Sequence, residues 1–446
     1  MQIELHPDAE RNLDEKAIQL RENLGRNPPR PARAEFDPDR PVSVAFGAED
    51  ILNVGDVIYP DHAGEPTARF RPSHDGPVGL SGDAYRSLHE FAARTARAGG
   101  LRDKVSVEFV EATLFDWLVG ESDGPAAAHL LAAAAAAIRP HTIMLPIQHF
   151  YPQRPFDCGR VRFEIFDREF FSGWRAACSK VSDDPSTREI LQTMVEDNQK
   201  KMQGLGAARV DIDAEPKYAK DWAVKETERS LAVLRFFAPA NVIPTQTCFC
   251  TPLGMRPIPK QTLLVAPAGG QAWGPHEGFA AAPPHSWNLS SDSLGQFWAA
   301  GLGRLSSLLG AEASSEFEKA VLDACLLFSR ACLVPDLHER LVYQFAAIES
   351  LVLEGESDPI IVKVADSMAF VLGRNVEERR GVARTVRETY RLRSAFVHHG
   401  YELSDHTKVV EFSGLAWRFM LVLVSTSAEH ETRRAFLEAL ETKKYS

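Results

Sequence analysis

The sequence predicts an α+β multidomain protein, with a mixed α/β N-terminal region followed by an all-α bundle of helices at the C-terminus. Of the 28 prolines, only Pro335 and Pro359 lie beyond residue 284. Strand patterns stop at about the same point. Helical patterns then follow one another with short polar connections, which is typical of an antiparallel bundle. We therefore expect a polar N-terminal arm or linker at 1–45, a mixed α/β domain at 46–310 and an all-α domain at 311–446.

Composition limits the classes of function. At 446 residues, with 44% hydrophobic and 25% charged residues, the chain has the composition of a soluble globular protein with two or three domains. A net charge of −11 argues against a surface coated by nucleic acid, although a local basic site remains compatible with it. No apolar run approaches the roughly 20 residues that span a bilayer, and the N-terminus lacks the order of a signal peptide. These features predict a cytoplasmic protein without a membrane partner.

The pattern of cysteines also favours a cytoplasmic protein. The six cysteines are scattered, and none forms a C-x-x-C pair, so we expect reduced thiols, no metal and no cofactor. Cys248 and Cys250 alternate in "TQTCFCT" and are predicted to share one face of a strand.

The N-terminal part alternates between strand patterns and helical patterns after a linker-like segment. The run "GRNPPRPARAEFDPDRP" at 25–41 is typical of a linker or a surface arm. Strand patterns at 142–150 and 159–166 flank a turn at Pro155–Gly159, and helical periodicity covers 187–205 and 219–237. A second strand pair is predicted at 244–251 and 260–267, followed by a long irregular loop at 267–291. The C-terminal part predicts seven helices, at 291–309, 314–332, 336–353, 359–372, 377–399, 406–426 and 430–442.

The helix at 377–399 has two distinct faces when its residues are placed about 100° apart. The predicted core face carries Val382, Val386, Tyr390 and Val397. A second face, about 60° wide, carries Arg380, Arg384, Arg387, Arg391 and His398. Seven arginines and three glutamates give residues 374–400 a net charge of +4 within an acidic chain. This pattern fits a track for a phosphate backbone, and a solvated arginine face is the alternative.

Arg393 is placed differently from the other arginines, because its bearing falls within the apolar stripe. A buried guanidinium needs a partner. The helix "LHERLVYQFAAIESLVL" has Glu349 within its own apolar face, which is formed by Leu341, Val342, Phe345, Ile348 and Val352. We therefore expect Glu349 to pair with Arg393, as part of a site or as a structural ion pair. His398 lies in the last helical turn before Gly400, where a histidine can also act only as a favourable partner of the helix dipole.

Three ordered segments then resemble a known family. They are "RLVYQFAAIESLVL" at 340–353, "VADSMAFVLG" at 364–373 and "YRLRSAFVHHG" at 390–400. Together they resemble the C-terminal domain of Apea-like HEPN proteins, members of the HEPN superfamily with its Arg-x4-His motif. The resemblance covers residues 313–446, about 30% of the chain.

The resemblance implies a homodimeric, metal-independent endoribonuclease that cleaves RNA through its own 2′-OH group. Arg393 would hold the phosphate and His398 would transfer protons. Cleavage would leave a 2′,3′-cyclic phosphate and a 5′-OH. Supporting roles would fall to Glu349, Ser394, His399 and Tyr390, and RNA binding to Arg380, Arg384, Arg387 and Arg391. Many active HEPN ribonucleases have Asn, Asp or His where this chain has Ser394.

Several functions remain open. The first is a defence or toxin effector that cuts tRNA or mRNA, with an unidentified trigger molecule acting on the N-terminal domain. The second is a non-catalytic HEPN-type module for dimerisation and for binding RNA or a nucleotide. A third places a separate enzyme at 46–290, using His141, His149, Asp157 and Cys158 near a strand turn. The segment from His399 to Tyr401 also resembles the modification site of HEPN toxins that are paired with a nucleotidyltransferase.

Overall fold

A computed structural model describes residues 3–29, 55–120, 124–243, 246–248, 250–255, 260–265, 274–279, 285–310, 315–355, 359–399 and 406–444. Within these ranges, the side chains of 260–265, 274–279, His398 and His399 lie outside the described part. The backbone forms two compact units. The first unit comprises residues 1–143 and 211–222, and the second unit comprises residues 144–210 and 223–446.

The first unit combines a small sheet with four helices. Its regular elements are α1 (Pro7–Arg21), β1 (Val57–Pro60), β2 (Pro66–Arg71), β3 (Val78–Ser81), α2 (Gly82–Thr95), α3 (Val107–Val119) and α4 (Ala126–Ala137). The three strands pair antiparallel in the order β1-β2-β3. A short 3-10 helix at Gly99–Leu101 lies between α2 and α3.

Helix α1 differs from the polar surface arm expected at 1–45. Its Leu13, Ala17 and Leu20 are at most 3% exposed and belong to the core of the first unit. These residues are three and four positions apart, so they form one buried stripe on an otherwise polar helix. The low overall hydrophobicity concealed this stripe. Most of the predicted proline- and arginine-rich linker, from residue 30 onward, lies outside the described residues.

The first unit also contains a buried charge cluster. Asp56, whose side chain is 8% exposed, accepts hydrogen bonds from Arg69 (2.6 Å) and Arg71 (2.6 Å). Burial would raise the pKa of Asp56, but the hydrogen bonds from Arg71 and Arg69 outweigh it and leave the pKa below its ordinary value. Nearby, Glu111 accepts a 2.9 Å hydrogen bond from the hydroxyl of Tyr85. The ionised form of Asp56 therefore stabilises this unit.

In the described part of the chain, the second unit contains three sheets. Its strands are β4 (Arg139–Gln148), β5 (Phe150–Pro152), β6 (Phe156–Cys158), β7 (Val161–Ile165), β8 (Gly206–Ala214), β9 (Thr251–Pro252), β10 (Lys260–Val265), β11 (Gly274–Phe279) and β12 (Trp287–Leu289). Five of them form a sheet in the order β6-β7-β8-β4-β9, β10 pairs with β11, and β5 pairs with β12. The neighbouring helices are α5 (Arg168–Cys178), α6 (Pro185–Met202) and α7 (Pro216–Phe236). The chain passes between the two units within β4, β8 and α7.

The local strand predictions are largely confirmed, whereas one predicted pairing is wrong. β4 and β7 occupy the expected positions, as do α6 and α7. However, β10 pairs with β11, which lies inside the predicted irregular loop. At the end of the segment 244–251, Thr251 pairs instead with Gln148 of β4. Alternation along one segment indicates a strand, but the partner depends on backbone hydrogen bonds to a distant segment.

From residue 291 onward, every regular element in the described part is helical. The α-helices are α8 (Ser291–Phe297), α9 (Gly303–Gly310), α10 (Glu316–Phe328), α11 (Leu337–Val352), α12 (Ile360–Leu372), α13 (Val376–His399), α14 (His406–Thr426) and α15 (Arg433–Lys444). Short 3-10 helices lie at Pro239–Asn241, Ser329–Leu333 and Ser427–Glu429. The mixed α/β region and the helical C-terminal region are thus as predicted. The helix expected at 291–309 is interrupted by a kink within Trp298–Leu302, where Gly301 has a non-helical φ of +122°.

The predicted boundary near residue 311 does not separate compact units. The second unit contains both the five-stranded sheet and the C-terminal helices. Hydrogen bonds cross this boundary: Cys248 donates its backbone N–H to the Cys332 carbonyl (2.9 Å), and the Trp417 indole donates to the Phe236 carbonyl (2.9 Å). The proline content falls before residue 311, but packing continues across the boundary.

Aromatic packing defines the core of the helical region. The ring of Phe345 on α11 stacks on Phe412 of α14 (4.3 Å between centroids) and meets the edge of Tyr390 on α13 (5.1 Å). One stretch in the described residues, His406–Glu429, is long and apolar enough to cross a bilayer, which the sequence analysis did not expect. By itself this is weak evidence for a membrane span, because a core helix passes the same test. Phe412, Phe419 and Met420 of this stretch are fully buried.

Candidate functional site

Helix α13 has a well-defined start. The Asn375 side chain accepts a 2.9 Å hydrogen bond from the backbone N–H of Glu378, whose carboxylate accepts another from the N–H of Arg374 (2.9 Å). This reciprocal arrangement resembles a capping box. A Cβ atom at Gly373 would lie 2.8 Å from the backbone nitrogen of Arg379, so glycine permits the short connection between α12 and α13. The connection keeps the two helices side by side.

A groove of about 580 Å³ lies along α12 and α13. Its apolar lining consists of Ala369, Phe370, Val376 and Ala383. Its charged lining consists of Asp366, Arg379, Arg380, Arg384, Arg387, Glu388 and Arg391. The groove thus contains all four arginines that were predicted to form a stripe, and all four are exposed. The guanidinium of Arg379 lies 4.5 Å from the centroid of the Phe370 ring, so an aromatic surface and a cation meet at the groove wall.

The groove is electropositive. Five arginines and two carboxylates give its lining a net charge of +3, in a chain whose net charge is −11. Arg387 pairs with Asp366 (3.3 Å) and Arg380 with Glu377 (3.2 Å). Within the described residues, Arg384 and Arg391 form no hydrogen bond or ion pair. These two guanidinium groups are therefore available to an anionic ligand.

Arg393 lies among buried groups on another side of α13, as its bearing predicted. Its guanidinium carbon is 5.6 Å from the centroid of the Tyr390 ring. The Nε atom of Arg393 and the Oε1 atom of Glu349 are both buried and have no hydrogen-bond partner in the structure as described. The two residues influence each other electrostatically, but they form no direct hydrogen-bonded pair through these atoms.

The pKa of Glu349 reflects this environment. Burial raises the pKa above its ordinary value, and the nearby charge of Arg393 offsets part of that increase. Burial also raises the pKa of Tyr390, with a further increase from the charge of Glu349. Glu349, Tyr390 and Arg393 therefore form a half-buried polar cluster between α11 and α13. Within it, the charges of Glu349 and Arg393 are close enough to interact.

The buried face of α13 differs in part from the prediction. Val386 is fully buried, but so is Thr389, whose hydroxyl has no hydrogen-bond partner among the described residues. Val397 was expected in the core and is 49% exposed. The reason lies in the length of α11, which begins at Leu337. The ring of His338 already stacks on Phe396 at 4.0 Å, so no further turn of α11 is present to cover Val397.

The end of α13 carries the remaining predicted residues. Ser394 is half-buried. The backbones of His398 and His399 form the last helical turn, whereas their side chains lie outside the described residues, as do Gly400 and Tyr401. Positions 393 and 398 are five residues apart on a continuous helix. They therefore lie about 140° apart around the axis and about 7.5 Å apart along it, so the backbone presents them on different sides.

The turn residues of the third hypothesis form no recognisable active site. His141 belongs to the first unit, and His149, Asp157 and Cys158 belong to the second. Burial raises the pKa of the Cys158 thiol to about 12, so this thiol is protonated and inaccessible at neutral pH. Asp157 is exposed and lies 3.5 Å from Arg162. Among the residues that the structure describes, no group of three or more His, Cys, Asp or Glu side chains could hold a metal ion.

Comparison with known proteins gives no match to a family model, to a curated protein or to a solved structure. The structure adds residues that sequence reasoning did not assign to the site. Asp366 and Phe370 form the wall contributed by α12, and Arg379 stacks on that wall. Helical periodicity could place Arg379 near the stripe, but nothing in the local sequence indicates that α12 packs beside it.

Proposed function

We propose that the chain is a metal-independent endoribonuclease of the HEPN type, whose active site is assembled from the α13 helices of two copies. The observation that carries this proposal is the electropositive groove along α13. The groove has four exposed arginines that were predicted to form a stripe, and it runs along the same helix whose end bears Arg393 and His398. Two of its arginines, Arg384 and Arg391, interact with the nearby carboxylate of Glu388 but form no hydrogen bond or ion pair within the described residues, so phosphate groups can bind there without breaking such a contact.

The residue types suit a reaction that needs no external nucleophile. The 2′-OH of RNA attacks the adjacent phosphorus atom, and the bond to the 5′-oxygen of the next nucleotide breaks. One His398 accepts the proton of the 2′-OH, and a second His398 donates a proton to the leaving oxygen. Arg393 stabilises the charge that develops on the phosphate. The products are a 2′,3′-cyclic phosphate and a 5′-OH.

Helix geometry supports a homodimer. Because positions 393 and 398 lie about 140° apart on α13, one copy does not present both on the same side. A twofold axis near the helix ends would provide two arginines and two histidines in a shared cleft. Glu349, Tyr390, Ser394 and His399 act as supporting residues. The charge of Arg393 is close enough to lower the pKa of Glu349, which supports a role for Glu349 in orienting that arginine.

The biological role follows as part of the same proposal. The substrate is tRNA or mRNA, and the chain is a toxin or antiviral defence effector. An unidentified trigger molecule acts on the region at 46–310. Part of that region, residues 55–143 and 211–222, belongs to the first compact unit, whose own core is consistent with a regulatory part.

The decisive test uses total RNA in the presence of a chelator. Wild-type protein, His398→Ala and Arg393→Ala are incubated under identical conditions, with and without extracts that could contain the trigger, and new RNA ends are mapped. We expect 2′,3′-cyclic phosphate ends from the wild type and a loss of at least about 100-fold in each variant. Arg374→Gln is the matched control, because Arg374 is exposed and does not line the groove. His399→Ala separates the roles of the two adjacent histidines.

Circular dichroism and size-exclusion chromatography must show that the variants remain folded and keep the association state of the wild type. Cleavage that persists in both His398→Ala and Arg393→Ala would refute the assignment of the active site.

One observation favours a second function. The groove along α13 is complete within a single chain, and its lining includes neither Arg393 nor His398. A non-catalytic HEPN-type module that binds RNA or a nucleotide would need only this groove. Tight RNA binding without turnover, measured across several RNA pools and triggers, would select this alternative.

A further inference from the structure

A cleft of about 370 Å³ lies in the second unit, away from α13 in the sequence. One side comes from the connection between β5 and β6 and the start of β6, and the other from α8 and the residue that follows it. The lining residues are Arg154, Pro155, Phe156, Asp157, Leu294, Gly295 and Trp298. This volume lies within the range of pockets that hold small molecules.

Trp298 is the largest side chain in the cleft, and it is 43% exposed. It begins the segment Trp298–Leu302, where the helix is kinked and Gly301 has a non-helical backbone conformation. Two glycines lie close to neighbouring side chains there. Gly301 adopts φ +122°, and a Cβ atom on it would lie 2.9 Å from the side chain of Val424. A Cβ atom on Gly303 would lie 3.0 Å from Nε1 of Trp298.

The kink at Gly301 packs against Val424, and Gly303 lies against the indole of Trp298. A continuous α-helix through this segment would not need glycine at φ +122°. Trp298 thus presents a flat aromatic surface to the cleft, on which a planar ligand can stack.

The polar groups of the cleft define the chemistry of that ligand. Arg154 is exposed and forms no hydrogen bond or ion pair within the described residues. The indole N–H of Trp298 likewise has no acceptor among them. Asp157 has only a long contact, 3.5 Å, to Arg162. The cleft therefore offers a flat apolar surface, one unpaired cation and one carboxylate that can accept hydrogen bonds.

We propose that this cleft binds a mononucleotide. The base stacks on Trp298, Asp157 accepts a hydrogen bond from an N–H group of the base, and Arg154 binds the phosphate. This binding does not depend on the proposed ribonuclease activity. It uses residues that the RNA-binding groove does not contain.

Calorimetric titration of the full chain tests the proposal with four probes: AMP, adenosine, ribose 5-phosphate and inorganic phosphate. AMP should bind more tightly than adenosine, which lacks the phosphate, and than ribose 5-phosphate, which lacks the base. Trp298→Leu should weaken AMP and adenosine by about tenfold or more, and Trp298→Phe should restore most of the affinity because a flat ring remains. Arg154→Gln should weaken AMP by about tenfold and leave adenosine unchanged.

Two control variants distinguish binding in this cleft from binding to arginines elsewhere on the protein. Arg168→Gln removes an exposed arginine on α5 that does not line the cleft, and it should leave the affinity for AMP unchanged. Arg384→Gln removes a cation of the groove along α13. AMP binding that falls in Arg384→Gln but not in Trp298→Leu would assign the nucleotide to that groove and overturn the proposal. Affinity for AMP weaker than about 1 mM in the wild type would overturn it as well.

Discussion

Removal of the two unpaired arginines from the groove should weaken RNA binding by a predictable amount. Arg384 and Arg391 line the groove, and neither has a hydrogen-bond or ion-pair partner in the described part of the chain. They are seven residues apart on α13, which separates them by about 10.5 Å along the axis. Their contributions should add, apart from the coupling through Glu388, whose pKa both arginines lower. The informative variant is therefore the double substitution of both residues by glutamine.

Counterion release sets the magnitude. Each phosphate contact on a single strand contributes about 0.7 to the slope of log K against log salt concentration. Loss of two contacts should therefore reduce the slope by about 1.4. At about 0.1 M salt this corresponds to about fivefold weaker binding for each arginine and about 25-fold for the pair. Arg387→Gln should have a smaller effect, because Arg387 already pairs with Asp366 at 3.3 Å.

Fluorescence anisotropy of a labelled single-stranded RNA gives both quantities when KCl is varied from about 50 to 200 mM. The measurement is made in a His398→Ala background so that the RNA stays intact. Arg374→Gln is the control, since Arg374 is 88% exposed and lies outside the groove. An unchanged salt slope in the double variant, or an equal loss in Arg374→Gln, would show that the groove is only a solvated arginine face.

Two further predictions concern stability and pH, with opposite signs. Burial raises the pKa of Glu349, so between the unfolded and folded pKa values the folded protein binds more protons, and its stability falls as pH rises through that window. Glu349→Gln should therefore raise Tm at neutral pH, and this gain should disappear below about pH 4. RNA cleavage should fall in the same variant, because Arg393 loses its carboxylate neighbour. A lower Tm at neutral pH would contradict this reasoning. Asp56 has a lowered pKa, so its contribution is present above its unfolded pKa of about 3.9 and is lost as pH falls through the folded value. Asp56→Asn should reduce the free energy of unfolding by about 3 kcal/mol at pH 7, because it leaves Arg69 and Arg71 without their shared partner. Urea denaturation at pH 7 and at pH 3 should show a smaller difference at pH 3, and an equal difference at the two pH values would contradict this reasoning.

The sequence could predict much of the candidate site, since the relevant signal is local. The period of the apolar residues gives the boundaries of α11, α12 and α13 to within about two residues. It also places four arginines on one exposed face: Arg380, Arg384, Arg387 and Arg391. The same period places Arg393 beside the apolar stripe, where the structure finds a half-buried guanidinium. It could not indicate that Val397 would be exposed, because that depends on where a different helix begins.

Other features required contacts between distant segments. Composition marked the N-terminus as a polar arm, although three apolar residues on one side of α1 are enough to join a core. Alternation identified β10 but not its partner β11, and nothing local predicted the helix kink at Gly301. Nor could the sequence assign Asp366 and Phe370 to the groove wall.

By itself, then, the sequence determined where the helices of the C-terminal region run and which of their faces carry charge. Both properties depend on residues three or four positions apart, which interact within a single helix. The tertiary structure decided which helix lies beside the arginines and which arginines form ion pairs. Those outcomes depend on packing and electrostatic interactions between residues far apart in the chain, and no local period encodes them.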